Sequence, residues 1–138
     1  MKSRMAVWVC CLAAWALPAL AEVAVVANAS VGVSEISADE LKRVFLGAKS
    51  ALSDGSAVEP VLLQSGAAHE LFLKEYVGKT DAALRNHFKS LVFTGKGSMP
   101  KSFASDADVV AYVAKTKGAI GYVGNAAAAA GVKRLSVK

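Results

Sequence analysis

An α/β domain, with a central mostly parallel or mixed sheet flanked by helices, is what this sequence predicts, and three observations predict it. Short Val-rich runs recur at 23–28, 58–64, 119–123 and 132–137, each the length of a buried strand. Between them lie segments with apolar residues at helical spacing, several opened by Ser or Thr and closed by Gly, and strands alternating with helices build layered α/β architectures. The chain of 138 residues is long enough for one hydrophobic core and short for two.

The N-terminus is expected to be a leader rather than part of that core. Lys2 and Arg4 precede an apolar run that ends in Pro18 and the small-residue sequence Ala19-Leu20-Ala21, the pattern of a secretory signal peptide cleaved after residue 21. The run is shorter than the roughly 20 residues a membrane span needs. A single domain over 22–138 then remains. Both cysteines, Cys10 and Cys11, fall inside the leader, so that domain has no disulfide, thiolate metal site or Cys nucleophile. Without Lys2 and Arg4 it carries 14 basic and 11 acidic residues, a net charge of +3. The cations are scattered among few aromatics, which is not the footprint of a nucleic-acid binder.

The first strand runs through "EVAVVANAS" and ends at Asn28. In "SEISADELKRVFLGAKS", Ser37 and Glu40 form a capping box, Leu41, Val44 and Phe45 share one helical face, and Gly47 stops the helix. Asp54-Gly55 makes a turn into a second strand over 58–64, where Pro60 marks its start or an edge position. "AAHELFLKEYVG" reads as a helix ended by Gly78; Thr80 caps the next, with Leu84, Phe88, Leu91 and Val92 on its apolar face. A loop over 93–103 leads to a helix capped by Ser105 and ended near Gly118. "AIGYVG" is a third strand, 125–131 a compact helical turn capped by Asn125, and "VKRLSV" the last strand.

Taken in order, "ISADELKRVFLGAKS", "SDGSAVEPV", "QSGAAHELFLKEYVG", "LVFTGKG" and "VVAYVAKTKGAIGYVG" resemble the substrate-binding proteins of phosphate ABC transporters, and especially their short single-domain relatives. The resemblance covers nearly all of 22–138. It implies a single periplasmic-binding-protein-like lobe, a periplasmic location, no cofactor, a phosphate-like small anion as ligand, and a membrane transporter or sensor as partner. It also implies that "GAIGYV" adds to a sheet laid down earlier, with Gly121 allowing close backbone approach beside the ligand cleft.

Three loops are candidates for ligand contact. In "QSGAAHE", Ser65 offers a hydroxyl, Gly66 lets the main chain come close, and Ala67 presents an amide at a helix start, where unpaired N–H groups and the dipole favour an anion. The resemblance leads one to expect an Arg before Ser65 and a hydroxyl residue after Gly66; this chain has Ala67 there instead, with Gln64 or His69 to help with charge, and a bidentate guanidinium is among the strongest phosphate contacts. Asn28 and Ser30 follow the first strand, at a strand end where open α/β sheets place ligands. Thr94 and Gly95 belong to a Gly-Lys-Gly loop without Walker spacing. His87 is expected to pack or to lie at the surface, the two histidines form no metal pattern, and no nucleophile elbow occurs, so the chain does not read as an enzyme. One lobe leaves an anion partly in solvent. Weak binding, completion by a second copy or another protein, and a ligand-free adaptor of the same fold are the readings left open.

Overall fold

β1 (Ala24–Ala27) lies inside the sheet with all four residues buried. It runs antiparallel to both its neighbours, β5 (Ala119–Val123) and β6 (Lys133–Val137). The structure is a computed structural model that describes residues 23–124 and 131–138; the leader and the helical turn expected from Asn125 lie outside them. Among the described residues, six strands form one sheet in the order β2-β6-β1-β5-β3-β4, completed by β2 (Glu35–Ile36), β3 (Glu59–Leu63) and β4 (Lys101–Phe103). β3 is parallel to both β5 and β4, and β2 to β6, so the sheet is mixed, as expected. No helix among the described residues is long and apolar enough to cross a membrane.

Two strands of this sheet were not anticipated. β2 and β4 are two and three residues long, too short to show a period of two, and they take part only because a longer neighbour lends them a ladder. Pro60 is the second residue of β3, and β4 pairs only from Val61 onward, so its missing N–H removes nothing from that ladder.

The helices sort to the two faces through the alternation of β5. Ile120 and Tyr122 point one way and Gly121 the other. On the Tyr122 side, its ring stacks on Phe72 at 3.8 Å and meets Phe45 edge-on at 5.8 Å, which brings α1 (Ala38–Phe45) and α2 (Ala67–Phe72) onto that face. On the other side, α4 (Asp106–Lys115) packs Val109 and Val113 onto the sheet. A Cβ on Gly121 would stand 2.9 Å from both Val109 and Val61. Gly121 therefore serves helix-to-sheet packing, not the backbone approach beside a ligand that was expected of it.

The caps form as predicted. Ser37, Thr80 and Ser105 accept from Glu40, Ala83 and Asp108 N–H. The reciprocal half of the capping box does not form, because the Glu40 carboxylate instead accepts from Ser53 N–H at 3.0 Å and faces Lys49 at 3.5 Å. α2 continues as a π-helical turn over Leu73–Val77, closed by Gly78 at φ 73°. α3 (Asp81–Phe93) buries Leu84 and Phe88, but Val92, assigned to the same face, is 49% exposed and Phe93 93% exposed.

Candidate functional site

The register fixes which loops meet. β3 and β5 start together, with Glu59 opposite Ala119, and β4 ends beside β3, with Phe103 opposite Leu63. One end of the sheet therefore gathers the loop 64–66, Gly124 and the start of α4. The two chain segments touch there, since a Cβ on Gly124 would lie 2.7 Å from the Ala68 side chain.

Ser65, Gly66 and Ala67 sit at this end and are exposed. Gly66 is the N-cap of α2 at φ 105°, ψ 171°, and no side chain caps the helix. That backbone is open to glycine and strained for other residues, and nothing lies within 4 Å of where its Cβ would be. No side chain, from Gly66 or from elsewhere, therefore caps the start of α2. Alone among the described helices that follow a Ser-, Thr- or Gly-bearing loop, α2 lacks the hydroxyl cap that α1, α3 and α4 all have.

The charge at this loop comes from a residue that the sequence did not single out. Arg85, on α3, approaches the Gln64 carbonyl at 3.5 Å with Nη2 and donates from Nε to Asp81 at 2.7 Å. Asp81 is a hub: its other oxygen accepts from His69 Nε2 at 2.7 Å. The Arg85 guanidinium, and then the His69 hydrogen bond, hold its carboxyl below the usual aspartate range. With Nε2 donating, His69 Nδ1 accepts from the Tyr122 hydroxyl at 2.5 Å, and that hydroxyl itself accepts from Leu63 N–H at 3.1 Å. Burial pushes the Tyr122 phenol well above its ordinary value, so it keeps the proton it donates.

His69 is consequently no surface group. It is 2% exposed, both ring nitrogens are engaged, and its position near the start of α2 turns it inward toward the sheet. Gln64 is exposed, and its backbone N–H is held by the Phe103 carbonyl at 2.9 Å. On the far side of the loop, Asp106 accepts from Gly124 N–H at 3.2 Å.

Asn28 and Ser30 lie at the opposite end of the sheet, because β1 is antiparallel to β5 and Asn28 N–H donates to the Ala119 carbonyl. The structure does not bring them to Ser65. Asn28 is buried, and its amide donates to the Val113 and Ala114 carbonyls at 2.8 and 3.2 Å while its oxygen accepts from Ser30 N–H. Ser30 Oγ accepts from Gly118 N–H at 3.0 Å. These side chains tie the last turn of α4 to β1. Thr94 and Gly95 close α3: the Thr94 hydroxyl donates to Ser90 at 2.8 Å, and Gly95 takes φ 70° as the helix stop. Their loop leads toward the start of β3, again away from Ser65. His87 is half-buried and bonded to the Leu46 carbonyl at 2.7 Å, the packing role expected.

Among the described residues, no group of three or more His, Cys, Asp or Glu is placed to hold a metal ion. The Asp81–Arg85 pair, an i, i+4 spacing one turn beyond a Thr cap, was the one available signal for this side of the site. That α3 reaches back to the 64–67 loop is tertiary information.

No family model matches the chain, and no curated protein does. Solved structures do share the fold. A phosphate transport receptor from Vibrio cholerae aligns over 83% of this chain and 45% of its own, at 11% identity and a TM-score of 0.56. PstS from Borrelia burgdorferi aligns over 84% and 47%, at 14% identity and 0.63. A protein from Clostridium perfringens, assigned to phosphate ABC transport as a substrate-binding protein and solved with bound phosphate, aligns over 83% and 44%, at 14% identity and 0.65. The chain has the fold of these proteins and spans less than half the length of each.

Proposed function

We propose that this chain is a periplasmic solute-binding module that takes phosphate or a related oxyanion at the 65–67 loop and passes it, or news of it, to a membrane transporter or sensor. The observation that carries the proposal is the uncapped start of α2 behind Gly66, with the Arg85 guanidinium beside it. Free amides at a helix start, a glycine that admits close approach, a hydroxyl from Ser65 and one nearby cation are the donor set a small anion requires. The shared fold with phosphate receptors supports the same ligand class.

Two features bear on selectivity and strength. Asp106, on the α4 side of the loop, repels an anion without protons and accepts from one that retains a proton, which favours hydrogen phosphate over sulfate. The loop is open to solvent, where the high dielectric weakens each contact; a second surface, from another copy or from the membrane partner, strengthens binding by excluding water.

Calorimetric titration with phosphate, with sulfate, and at raised salt tests the proposal. Saturable heat with phosphate above sulfate, reduced in Ser65→Ala and Arg85→Gln, is expected. A folded sample giving no heat with either anion overturns the solute-binding reading and favours a ligand-free interaction module of the same fold.

A further inference from the structure

The opposite end of the sheet carries a cavity that the anion loop does not use. About 420 Å³ in volume, it opens between the α1–β3 and α3–β4 connections, with Val44, Phe88 and Leu91 as its floor and Lys49, Lys96 and Lys101 around it. That volume is within the range of small-molecule sites, which combine an apolar lining with a few placed polar groups.

The lysines are unequally committed. Lys49 faces Glu40 at 3.5 Å. Lys101 donates to the Tyr112 hydroxyl at 3.2 Å, and that hydroxyl donates to Glu59 at 2.9 Å. Glu59, the one acidic side chain on the cavity wall, is thereby already satisfied. Lys96 has no ion pair among the described residues. The imbalance extends along the chain: residues 82–105 include Arg85, Lys89, Lys96 and Lys101 and no Asp or Glu. The cavity thus places positive charge around an apolar floor.

Its floor is close-packed, and an apolar strip adjoins its mouth. A Cβ on Gly47 would stand 3.1 Å from Leu91 and 3.2 Å from Phe88, and one on Gly97 3.3 Å from Leu91, so both connections rest directly on the α3 ridge. At the mouth, Met99 is 46% exposed, and the apolar surface continues to Val92 and Phe93. A hydrocarbon leaving the cavity follows this strip.

We propose that the cavity binds an organic anion with an apolar body, its carboxylate or phosphate monoester head between Lys96 and Lys101 and its hydrocarbon on Leu91 and Met99. The site is separate from the 65–67 loop, so the two proposals stand or fall independently.

Amide-resolved NMR titration of the purified protein tests this, with hexyl phosphate and hexanoate as probes and with inorganic phosphate, acetate and hexanol as their separated halves. Both amphiphilic anions are expected to shift the amides of Lys96, Gly97 and Ser98 saturably, and each half alone to bind at least about ten-fold more weakly, since head and body contributions to one site multiply in affinity. Removing one unit charge in Lys96→Gln should weaken hexyl phosphate about five-fold, the worth of a solvent-screened contact near 4 Å. Lys96 is in an exposed loop, so this variant keeps the fold. The Lys96→Gln, Lys101→Gln pair should weaken it further, and Ser65→Ala should change nothing. Hexanol binding as well as the anions, an unaltered affinity in Lys96→Gln, or no saturable shift at 96–98 with either anion would each overturn the proposal.

Discussion

Replacing Tyr122 by Phe removes one oxygen from the middle of the molecule and tests how the candidate loop is held. The ring is fully buried and stacked on Phe72, and phenylalanine keeps both the volume and the stack. What is lost is a hydroxyl that accepts from Leu63 N–H at 3.1 Å and donates to His69 Nδ1 at 2.5 Å. Both partners are buried, so each is left without a bond and without water, at about 1–3 kcal/mol apiece. Some relaxation of His69 lowers the total, giving about 2–4 kcal/mol, a large share of the roughly 5–15 kcal/mol a domain has. Urea unfolding followed by circular dichroism should show the midpoint falling at unchanged slope, by about 1–2 M for a slope near 2 kcal/mol per M. Tyr112→Phe, on a half-buried hydroxyl, should cost under about 1 kcal/mol. Because Leu63 and His69 bracket residues 64–68, amide exchange there should also accelerate in Tyr122→Phe. A loss below about 1 kcal/mol with unchanged exchange would refute the idea that this hydroxyl fixes the loop to the sheet.

Three further outcomes follow from the same geometry. Asn28→Ala strips two donors from the end of α4 and the acceptor for Ser30 N–H, and should cost about 2–3 kcal/mol in unfolding while leaving the phosphate titration unchanged. Gly121→Ala drives a Cβ to 2.9 Å from two valines and should cost about 1–3 kcal/mol by overpacking, read as a lowered melting temperature. Asp81 has its pKa depressed in the folded state, so its stabilising effect is full above the ordinary aspartate value and is lost as pH falls through the folded one; Asp81→Asn should lower stability evenly across the neutral-to-alkaline range and flatten the acid limb of a stability-against-pH curve.

The elements legible in the sequence were those with a local cause. Ser37, Thr80 and Ser105 cap helices because a hydroxyl three residues before a free amide bonds it wherever the rest of the chain goes. The strand at Ala119–Val123 announced itself as an apolar run between glycines. β2 and β4 carry no such cause, since a strand of two or three residues is defined by its neighbour. Glu40 shows the limit within a recognised motif: the spacing of a capping box was present, yet Ser53 and Lys49 took the carboxylate. Val92 and Phe93 extend the apolar pattern of α3 into residues left exposed, and periodicity does not report where a partner stops.

The candidate site divides along the same line. Ser65, Gly66 and Ala67 were visible because a strand-to-helix turn with glycine is a local pattern. Asn28 and Ser30 looked equivalent, because a polar loop at a strand end is the same pattern; direction separates them. β1 runs against β5 while β3 runs with it, so one loop opens at one end of the sheet and the other is folded beneath α4. The cation missing from the loop was sought nearby in Gln64 and His69, and Arg85 arrives from α3, some 20 positions later. What connects it runs from the surface into the core: Arg85 to Asp81, Asp81 to His69, His69 to Tyr122, Tyr122 to Leu63. An anion that draws Arg85 toward Ser65 pulls on that chain. If the 65–67 loop takes an anion as proposed, Tyr122→Phe should weaken phosphate binding without altering Ser65, Gly66 or Arg85, whereas Asn28→Ala, as destabilising but at the other end, should not. If both variants, still folded, lose phosphate response equally, the loss tracks global stability and the relay from Tyr122 to Arg85 carries no information of its own.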